Sequence, residues 1–269
     1  MNLPLSVAII TFNEESNIKR CLKSVQSIAS EIIVVDSGSK DNTVKIAKEM
    51  NAICIYKEWS GHVTQKNYSL EICSQPWILS IDADEVVSYE LQNSIQHLFS
   101  NNLPICTGYY INRKNYYLGE WINHAWYPEW RLRLVKKNCA QWEGLNPHDR
   151  LVVSGQTRKL SGDLYHYSYN DLKEHFVRTI HYAKIGAESA AQSNKRFHPL
   201  KLILSPIWRF LRILVLKSGW RDGWRGFIIA FSSLLACFAK YAFLYEHHIT
   251  HYHRLFFYND KNKKDNFED

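Results

Sequence analysis

The sequence predicts a doubly wound α/β fold, with a mostly parallel sheet flanked by helices and a helical appendage at the carboxyl end. Three observations predict it: apolar runs of strand length, amphipathic segments of helix length between them, and an apolar, basic stretch late in the chain. Regular alternation of strands and helices favours parallel strands joined by right-handed crossovers. With 269 residues, the chain can bury a substantial core.

The first 82 residues alternate between patterns that predict strands and patterns that predict helices. Residues 5–12, LSVAIITF, form the nearly continuous apolar run that is typical of a buried parallel strand. A helix follows, for which Asn13 or Ser16 is the expected cap. Further strands are predicted at 31–35, 52–58 and 77–82, separated by helices at about 42–50 and 63–73.

Polar side chains follow three of these strands. Thr11 ends the first strand, Asp36 the second, and Asp82 and Asp84 follow the fourth within DADE (82–85). Ligands of open α/β sheets bind at the carboxyl ends of strands, so these residues are expected to line one crevice. Because alternate residues of a strand share a face, Asp82 and Asp84 can converge on one point. Two carboxylates suit Mg²⁺ or Mn²⁺, whose coordination shell substrate phosphates usually complete.

Several classes of protein are disfavoured. The chain has neither G-x-G-x-x-G after its first strand nor G-x-x-x-x-G-K-[ST], which argues against a dinucleotide fold and a P-loop NTPase and favours a mononucleotide. Its six cysteines lack metal-type spacing and indicate a reducing compartment. The amino terminus lacks the basic start of a signal peptide, so a cytosolic location is expected. Four late histidines lack the Glu of H-E-x-x-H and are interpreted as surface residues: His247, His248, His251 and His253.

The late part of the chain is basic and apolar at once. Residues 196–254 contain nine Lys or Arg and two acidic residues, an excess that equals the formal net charge of +7. Because the basic residues alternate with Leu, Ile, Phe and Trp, the pattern favours an anionic membrane surface over nucleic acid. An interfacial amphipathic helix is predicted, broken near Pro206 and Gly219. Residues 226–245 favour a helix that lies in the membrane interface. A transmembrane span is the second hypothesis, and a buried helical cap over the catalytic domain is the third.

Four motifs carry a resemblance to a known family: TFNEE (11–15), VVDSGSKDNT (34–43), QKN (65–67) and DADE (82–85). In this order they resemble the GT-A glycosyltransferases of family 2, over about the first 150 residues. Three later motifs are similar to the subgroup that adds glucose to the inner core of bacterial lipopolysaccharide: WEGLNPHD (142–149), YHYSYNDL (165–172) and GWRDGWRGF (219–227). The resemblance implies a GT-A fold, a nucleotide-sugar donor and transfer of a hexose, with UDP-glucose as the expected donor.

The resemblance also implies residues for the donor. These are Thr11, Glu14 and Asp36 at the base and ribose, Lys66 at the diphosphate, Asp82 beside the ribose and the ion, and Asp84 as the direct metal ligand. Asp36 would accept a hydrogen bond from a uracil N–H. The divalent cation would neutralise charge on the departing nucleoside diphosphate.

An inverting transfer needs a base for the acceptor hydroxyl. The resemblance places it in residues 142–149, where many relatives have His-Glu and this chain has His148 and Asp149. Asp149 is therefore the expected base, and Glu143 is its rival. Two arginines could bind the donor diphosphate or an acceptor phosphate, although one is expected to face solvent: Arg131 and Arg133. Four tryptophans could contact the acceptor sugar or simply be packed: Trp121, Trp126, Trp130 and Trp142.

The predicted organisation is a catalytic domain at 1–195, with a nucleotide-sugar half at about 1–100 and an acceptor half at about 101–195. A membrane-associating region at 196–255 and a polar tail at 256–269 follow. The expected protein is a metal-dependent, inverting hexosyltransferase, peripheral or monotopic at the cytoplasmic face of the inner membrane. Its expected partners are a lipid-linked core oligosaccharide and the anionic membrane surface. The alternatives are transfer to a polyprenyl phosphate or another envelope glycan, and a scaffold that binds nucleotide-sugar without turnover.

Overall fold

The chain divides into two compact units. The structure, a computed structural model, describes residues 3–100, 106–144, 149–169, 171–193 and 195–264, with side chains as far as residue 249. One unit is Met1–Asn170 and the other is Asp171–Asp269. The sequence places the domain boundary after residue 195. The division by contacts comes earlier, because the helix Leu172–Gln192 packs against the long helix Gly223–Lys264.

The first unit begins with the predicted alternation of strands and helices. Its elements are β1 (Leu5–Thr11), α1 (Ile18–Val25), β2 (Glu31–Asp36), α2 (Thr43–Glu49), β3 (Ile53–Tyr56), α3 (His62–Glu71), β4 (Trp77–Asp82), β5 (Glu85–Val87) and α4 (Tyr89–Ser100). Strands β3, β2, β1 and β4 lie side by side in that order, and all are parallel. Both faces of β1 are buried, with Val7 and Ala8 in separate apolar clusters. Burial on both faces explains the continuous apolar run in the sequence.

The second half of the unit extends this sheet with mixed strand directions. It adds β6 (Gly108–Tyr117), β7 (Glu120–Trp121), β8 (Glu129–Lys136), β9 (Ala140–Glu143), β10 (Arg150–Val153) and β11 (Thr157–His166). Beyond β4 the order is β8, β6, β11 and β5, and β8 runs antiparallel to both β4 and β6. Strands β6 and β11 are parallel, while β9 and β10 form a separate antiparallel pair. The α/β class is confirmed, and the parallel character is confined mainly to the first half.

The predicted caps of α1 are wrong. The helix begins at Ile18, after Asn17. Asn13 instead adopts a left-handed backbone conformation, with φ of 53°, and its Oδ1 accepts a hydrogen bond from Lys40 N at 2.9 Å. The segment before α1 is therefore a loop that binds the loop after β2.

The second unit is helical. It contains α5 (Leu172–Gln192), α6 (Pro199–Leu211), a π-helical segment (Arg212–Leu216), a 3₁₀ turn (Gly219–Asp222) and α7 (Gly223–Lys264). The predicted break near Pro206 is wrong, because Pro206 lies inside α6. The chain turns at Ser218, with φ of 54°, and at Gly219, whose carbonyl leaves no room for a Cβ at Gly226. Residues Gly219–Ile249 are long and apolar enough to cross a membrane, and 28% of the apolar window is buried in the fold.

Candidate active site

The carboxyl ends of three parallel strands bring the predicted polar residues to one edge of the sheet. Thr11 in β1 lies opposite Asp36 in β2, and Ile10 in β1 lies opposite Asp82 in β4. Side chains at the ends of neighbouring parallel strands share one crevice. The register thus places these strand ends side by side, as the sequence predicts, and their lining of one ligand crevice stays a prediction.

Hydrogen bonds join the loops after β1 and β2. Asn13 N donates to Ser39 Oγ at 2.8 Å, and Glu14 N donates to Thr43 Oγ1 at 2.8 Å. Asn13 Oδ1 also accepts the bond from Lys40 N described above. The rim of the crevice is thus fixed before any ligand arrives.

The three residues expected at the base and ribose all lie at this rim. Asp36 is 5% exposed, and its Oδ2 accepts hydrogen bonds from the backbone nitrogens of Gly38 at 2.8 Å and Ser39 at 2.9 Å. Within the described part of the chain, the buried Thr11 Oγ1 has no hydrogen-bond partner. Glu14 Oε2 accepts a bond from the side chain of Asn17 at 2.6 Å. A buried hydroxyl without a partner is costly, so Thr11 is suited to a polar ligand.

Lys66, in α3, connects both sides of the crevice. Its Nζ lies 3.2 Å from Asp82 Oδ1 and 3.2 Å from Asp149 Oδ2, and 4.2 Å from the centre of a Trp142 ring. The lysine is only 7% exposed. A buried ammonium needs compensating charge, and the two carboxylates supply it. The lysine thereby holds Asp149, the predicted base, close to the strand end that carries Asp82.

The neighbouring Asn67 fixes the chain on the Asp149 side. Its Nδ2 donates to the Trp142 carbonyl at 2.9 Å, and its Oδ1 accepts from Trp142 N at 2.8 Å. Trp142 lies in β9, whose partner strand β10 begins directly after Asp149. Two consecutive residues of α3 therefore position the Asp149 side of the crevice.

Arg133 holds the second oxygen of Asp82. Its Nη2 donates to Asp82 Oδ2 at 3.1 Å and to Glu85 Oε1 at 2.7 Å. Glu85 is completely buried, and its Oε2 accepts from Asp82 N at 2.9 Å. Burial would raise the pKa of Asp82, but Lys66 and Arg133 hold that pKa well below its usual range. Asp82 is therefore ionised and fixed in orientation.

A further pair of ions flanks Glu85. Arg113 Nη1 lies 3.6 Å from Glu85 Oε1, and Arg113 binds Glu129 through two hydrogen bonds of 2.9 Å each. Burial opposes ionisation of Glu129, yet Arg113 lowers its pKa to about 2. Arg131 also binds Glu129, at 2.6 Å, and its side chain is 46% exposed. Strands β6 and β8 shift register at this point, with Tyr109 opposite Leu134 and Tyr110 opposite Leu132, and Arg133 lies at the shift. Arg133 is therefore buried although Arg131, two residues earlier, is exposed, as the sequence predicts for one of the two.

Asp84 pairs with His166, a residue for which the sequence predicts no role. His166 Nε2 lies 3.3 Å from Asp84 Oδ2, and His166 Nδ1 lies 2.6 Å from Asn115 Oδ1. An amide oxygen only accepts, so Nδ1 carries a proton in this arrangement. A neutral imidazole in that tautomer turns its Nε2 lone pair toward the Asp84 carboxylate. The pair therefore needs positive charge between its members or on the ring.

This pair fits a divalent cation. Adjacent ligands of an octahedral ion with bonds of about 2.1 Å lie about 3 Å apart, close to the separation of Asp84 and His166. A partner on the second ring nitrogen, as Asn115 provides, is typical of metal-binding histidines. Among the described residues, no three His, Cys, Asp or Glu side chains come together as a closed metal site. An ion here would accordingly take ligands from a substrate as well.

The remaining predicted residues are Glu143, His148 and the four tryptophans, and the structure describes all of them except His148. Glu143 lies in β9, where its Oε1 accepts from Gln141 at 2.6 Å, while His148 lies outside the described residues. Trp142 is 5% exposed and packed. The other three tryptophans make ring or cation contacts: Trp121 with Tyr165, Trp126 with Tyr117, and Trp130 with Lys159. Contact of these three with an acceptor sugar stays a prediction.

Three residues of the site went unassigned from the sequence: Glu85, Arg113 and His166. The sequence YHY at the end of β11 offered a signal for His166. In a strand the histidine points to the face opposite that of the two tyrosines that flank it. Arg113 carried no such signal, since its partner Glu129 belongs to another strand.

Comparison with known proteins adds a family to this geometry. The model of glycosyl transferase family 2 matches residues 6–159. The chain is 32% identical to the lipopolysaccharide core biosynthesis glycosyltransferase LpsC of Rhizobium meliloti, over 91% of this chain and 93% of LpsC. It is 33% identical to an uncharacterized glycosyltransferase of Rickettsia typhi, over 88% of this chain and 84% of that protein.

Two solved structures match the chain at lower sequence identity. Staphylococcus aureus TarS 1-349 in complex with UDP-GlcNAc matches with a TM-score of 0.48 and 14% identity, over 87% of this chain and 90% of that one. Glucosyl-3-phosphoglycerate synthase from Mycobacterium tuberculosis, with Mn²⁺, UDP and glucosyl-3-phosphoglycerate, matches with a TM-score of 0.34 and 22% identity, over 44% of this chain and 45% of that one. The family match and the two relatives agree, and the chain is a transferase that belongs to glycosyl transferase family 2.

Proposed function

We propose that the protein is a metal-dependent, inverting glycosyltransferase that moves a hexose, glucose from UDP-glucose, onto the inner core of lipopolysaccharide. Similarity to LpsC along nearly the whole chain supports the acceptor class. The residues at the strand ends support a nucleotide-sugar donor. They combine the hydroxyl of Thr11, which is unpartnered among the described residues, the carboxylate of Asp36, which binds its own loop, and the Asp84–His166 pair, which fits a divalent cation.

The observation that carries the proposal is the position of Lys66 between Asp82 and Asp149. A displacement at the anomeric carbon needs a base close to the donor and on the side of the acceptor. Asp149 meets the first condition, since the same ammonium binds both it and the strand-end carboxylate. Glu143, in contrast, is engaged with Gln141 along β9. The contacts therefore favour Asp149 over Glu143 as the base.

Each residue has a distinct task in the reaction. Asp84 and His166 would hold Mg²⁺ or Mn²⁺, which supplies charge neutralisation for the departing diphosphate. Both oxygens of Asp82 already bind cations, which suits it to orient the ribose side of the donor rather than to hold the ion. Asp149 Oδ takes the proton of the acceptor hydroxyl as that oxygen attacks. Lys66 lies beside the reacting groups and adds positive charge near the diphosphate.

The second unit supports an acceptor held at a membrane. Its long apolar helix and its excess of basic residues fit a lipid-linked core oligosaccharide and an anionic leaflet. The proposed location is the cytoplasmic face of the inner membrane, with the protein peripheral or monotopic. A polyprenyl phosphate acceptor would normally accompany several membrane spans, whereas a single candidate is found among the described residues.

The experiment is UDP release from UDP-glucose by the purified full chain, with and without purified core acceptor and with Mg²⁺, Mn²⁺ or chelator. Acceptor-stimulated and metal-dependent release is expected. A chain that binds UDP-glucose without turnover under every condition would be a scaffold. Mass analysis of lipopolysaccharide from a strain that lacks the protein tests the acceptor, and an unchanged core would refute it.

A further inference from the structure

Helix α6 turns an apolar side outward. Six of its residues are between 45% and 60% exposed: Leu200, Ile203, Leu204, Ile207, Trp208 and Leu211. Their spacing of three and four residues puts them on one face of the helix. Pro206, on another face, is buried. The apolar face of this amphipathic helix is therefore the one that the fold leaves uncovered.

Helix α7 also has an exposed apolar face, which is formed by aromatic residues. Four of them follow one stripe and are between 40% and 80% exposed: Trp224, Phe227, Phe231 and Phe238. The residues that the fold buries are aliphatic or small, such as Ile229 and Ala230 at 0%. Phe227 also contacts Phe210 of α6, with ring centroids 5.6 Å apart, so the two helices meet beside their exposed faces.

Positive charge borders these faces. Five exposed basic residues lie along α6 and the turn that follows it: Lys201, Arg209, Arg212, Lys217 and Arg221. Between residues 199 and 245 the only acidic residue is Asp222. Apolar residues at the centre and cations at the border match the acyl chains and the anionic headgroups of one lipid leaflet. A second protein chain would have to provide acidic residues, which this segment lacks.

From this juxtaposition we infer that α6, the turn after it and the first half of α7 form a docking face for an anionic phospholipid leaflet, and that α7 lies in that leaflet instead of crossing it. The inference rests on the proposed function in one respect, the choice of the inner membrane as the membrane that is bound. It names the surface and the lipid chemistry by which the protein reaches a lipid-linked acceptor.

Packing inside the second unit argues against a span. After Phe238, α7 is packed along α5 through contacts of Leu244 with Ala187 and Ala190, and Lys240 lies against Gly186. The opposite side of α5 exposes Lys184 and Glu188. An α7 that crossed the bilayer would carry these charges into hydrocarbon, where an ionised side chain is strongly disfavoured.

The test uses co-sedimentation of the full chain with neutral phosphatidylcholine vesicles and with vesicles that contain phosphatidylglycerol. Tighter binding to the anionic vesicles is expected, together with release at high salt or alkaline pH. Equal binding to both vesicle types overturns the choice of lipid. Retention after alkaline extraction overturns the interfacial position and indicates a span.

Two double variants test the face itself. Arg209→Gln with Arg212→Gln should weaken anionic binding about thirtyfold, since each basic residue near such a surface contributes about 1 kcal/mol. Ile203→Gln with Ile207→Gln should weaken it at least tenfold. Val177→Gln is the matched control, because Val177 is 61% exposed in α5 of the same unit, and it should leave binding unchanged. Equal loss in the control and the variants overturns the proposed face.

Two further readouts separate the explanations. If the isoleucine variant leaves vesicle binding intact but abolishes a dimer in sedimentation, the face binds a second copy, and the inference is wrong. UDP release from UDP-glucose in detergent does not depend on docking, so all these variants should keep it. If the wild-type chain binds vesicles as expected but releases no UDP from UDP-glucose, the proposed function is wrong and the docking face still stands.

Discussion

Glu85 and Arg133 form an ion pair of 2.7 Å between side chains that are 0% and 4% exposed. The guanidinium also reaches Asp82, and the other carboxylate oxygen of Glu85 accepts from the Asp82 backbone nitrogen. Asp82 is thus fixed by a buried pair through both its side chain and its main chain. Such a pair costs desolvation, and it is sensitive to the loss of either member.

Arg133→Met should therefore destabilise the first unit strongly. It leaves Glu85 buried opposite Arg113 alone, at 3.6 Å, and a loss of about 3–5 kcal/mol is expected. Pulse proteolysis in urea measures it for the full chain. Arg131→Met is the matched control on the same strand, because Arg131 pairs at a 46% exposed position and should cost no more than about 1 kcal/mol. Similar losses for both variants would contradict the role given to Arg133.

Asp149→Asn should lower kcat by about 100- to 10,000-fold, the range of a lost general base. The substitution keeps the shape of the side chain and removes its ability to accept a proton, so KM for UDP-glucose should change far less than kcat. Steady-state kinetics with saturating acceptor measures both constants. Glu143→Gln is the comparison and should stay close to wild type. The opposite pattern would transfer the role of base to Glu143.

His166→Gln should raise the concentration of Mn²⁺ that gives half-maximal activity by at least tenfold. The histidine pairs with Asp84 at 3.3 Å and is held by Asn115, and loss of a ligand or of its supporting bond weakens metal affinity by about 10- to 100-fold. A metal titration of UDP release measures the shift, and Asp84→Asn should show a shift in the same direction. His181→Gln, at an exposed position in α5, should show none. An unchanged titration for His166→Gln would remove the histidine from the ion site.

His175 should make the second unit sensitive to acid. Burial lowers the pKa of this histidine to about 4, while an unfolded chain has a histidine pKa of about 6.5. The unfolded state then binds the proton first, so this contribution to stability is present above pH 6.5 and is lost as the pH falls toward 4. The shift corresponds to about 3 kcal/mol. Unfolding of the wild type and of His175→Gln at pH 7 and at pH 4.5 measures it, and the wild type should lose more stability. Parallel losses would contradict the assignment.

How far the sequence predicts this molecule depends on how local the signal is. Strands β1 to β4 could be predicted because each is an apolar run that a helix separates from the next, and their parallel order follows from those connections. Strands β6 and β11 pair across more than forty residues, and β8 lies between β4 and β6. No periodicity within one segment encodes such pairing. The inward direction of Arg133 depends on the register shift between β6 and β8, so neither that direction nor the partner Glu85 was accessible from alternation within β8.

The same limit applies to the site. Thr11, Asp36 and Asp82 were accessible because each directly ends a predicted strand. His166 required the register that sets it opposite Asn115. Pro206 shows an error of the opposite kind, since a local rule predicted a break where packing of α6 against α7 holds the helix together.

The bonds of Asn67 reach the main chain of residue 142 and none of its side-chain atoms. The amide therefore recognises a backbone geometry, while the apolar core separately requires the buried side chains of Trp142 and Leu151. A strand pair from another member of the family could therefore replace β9 and β10 and keep this register, provided that it has apolar residues at positions 142 and 151. One amide of α3 thus sets the register of the strand pair that lies beside the proposed base.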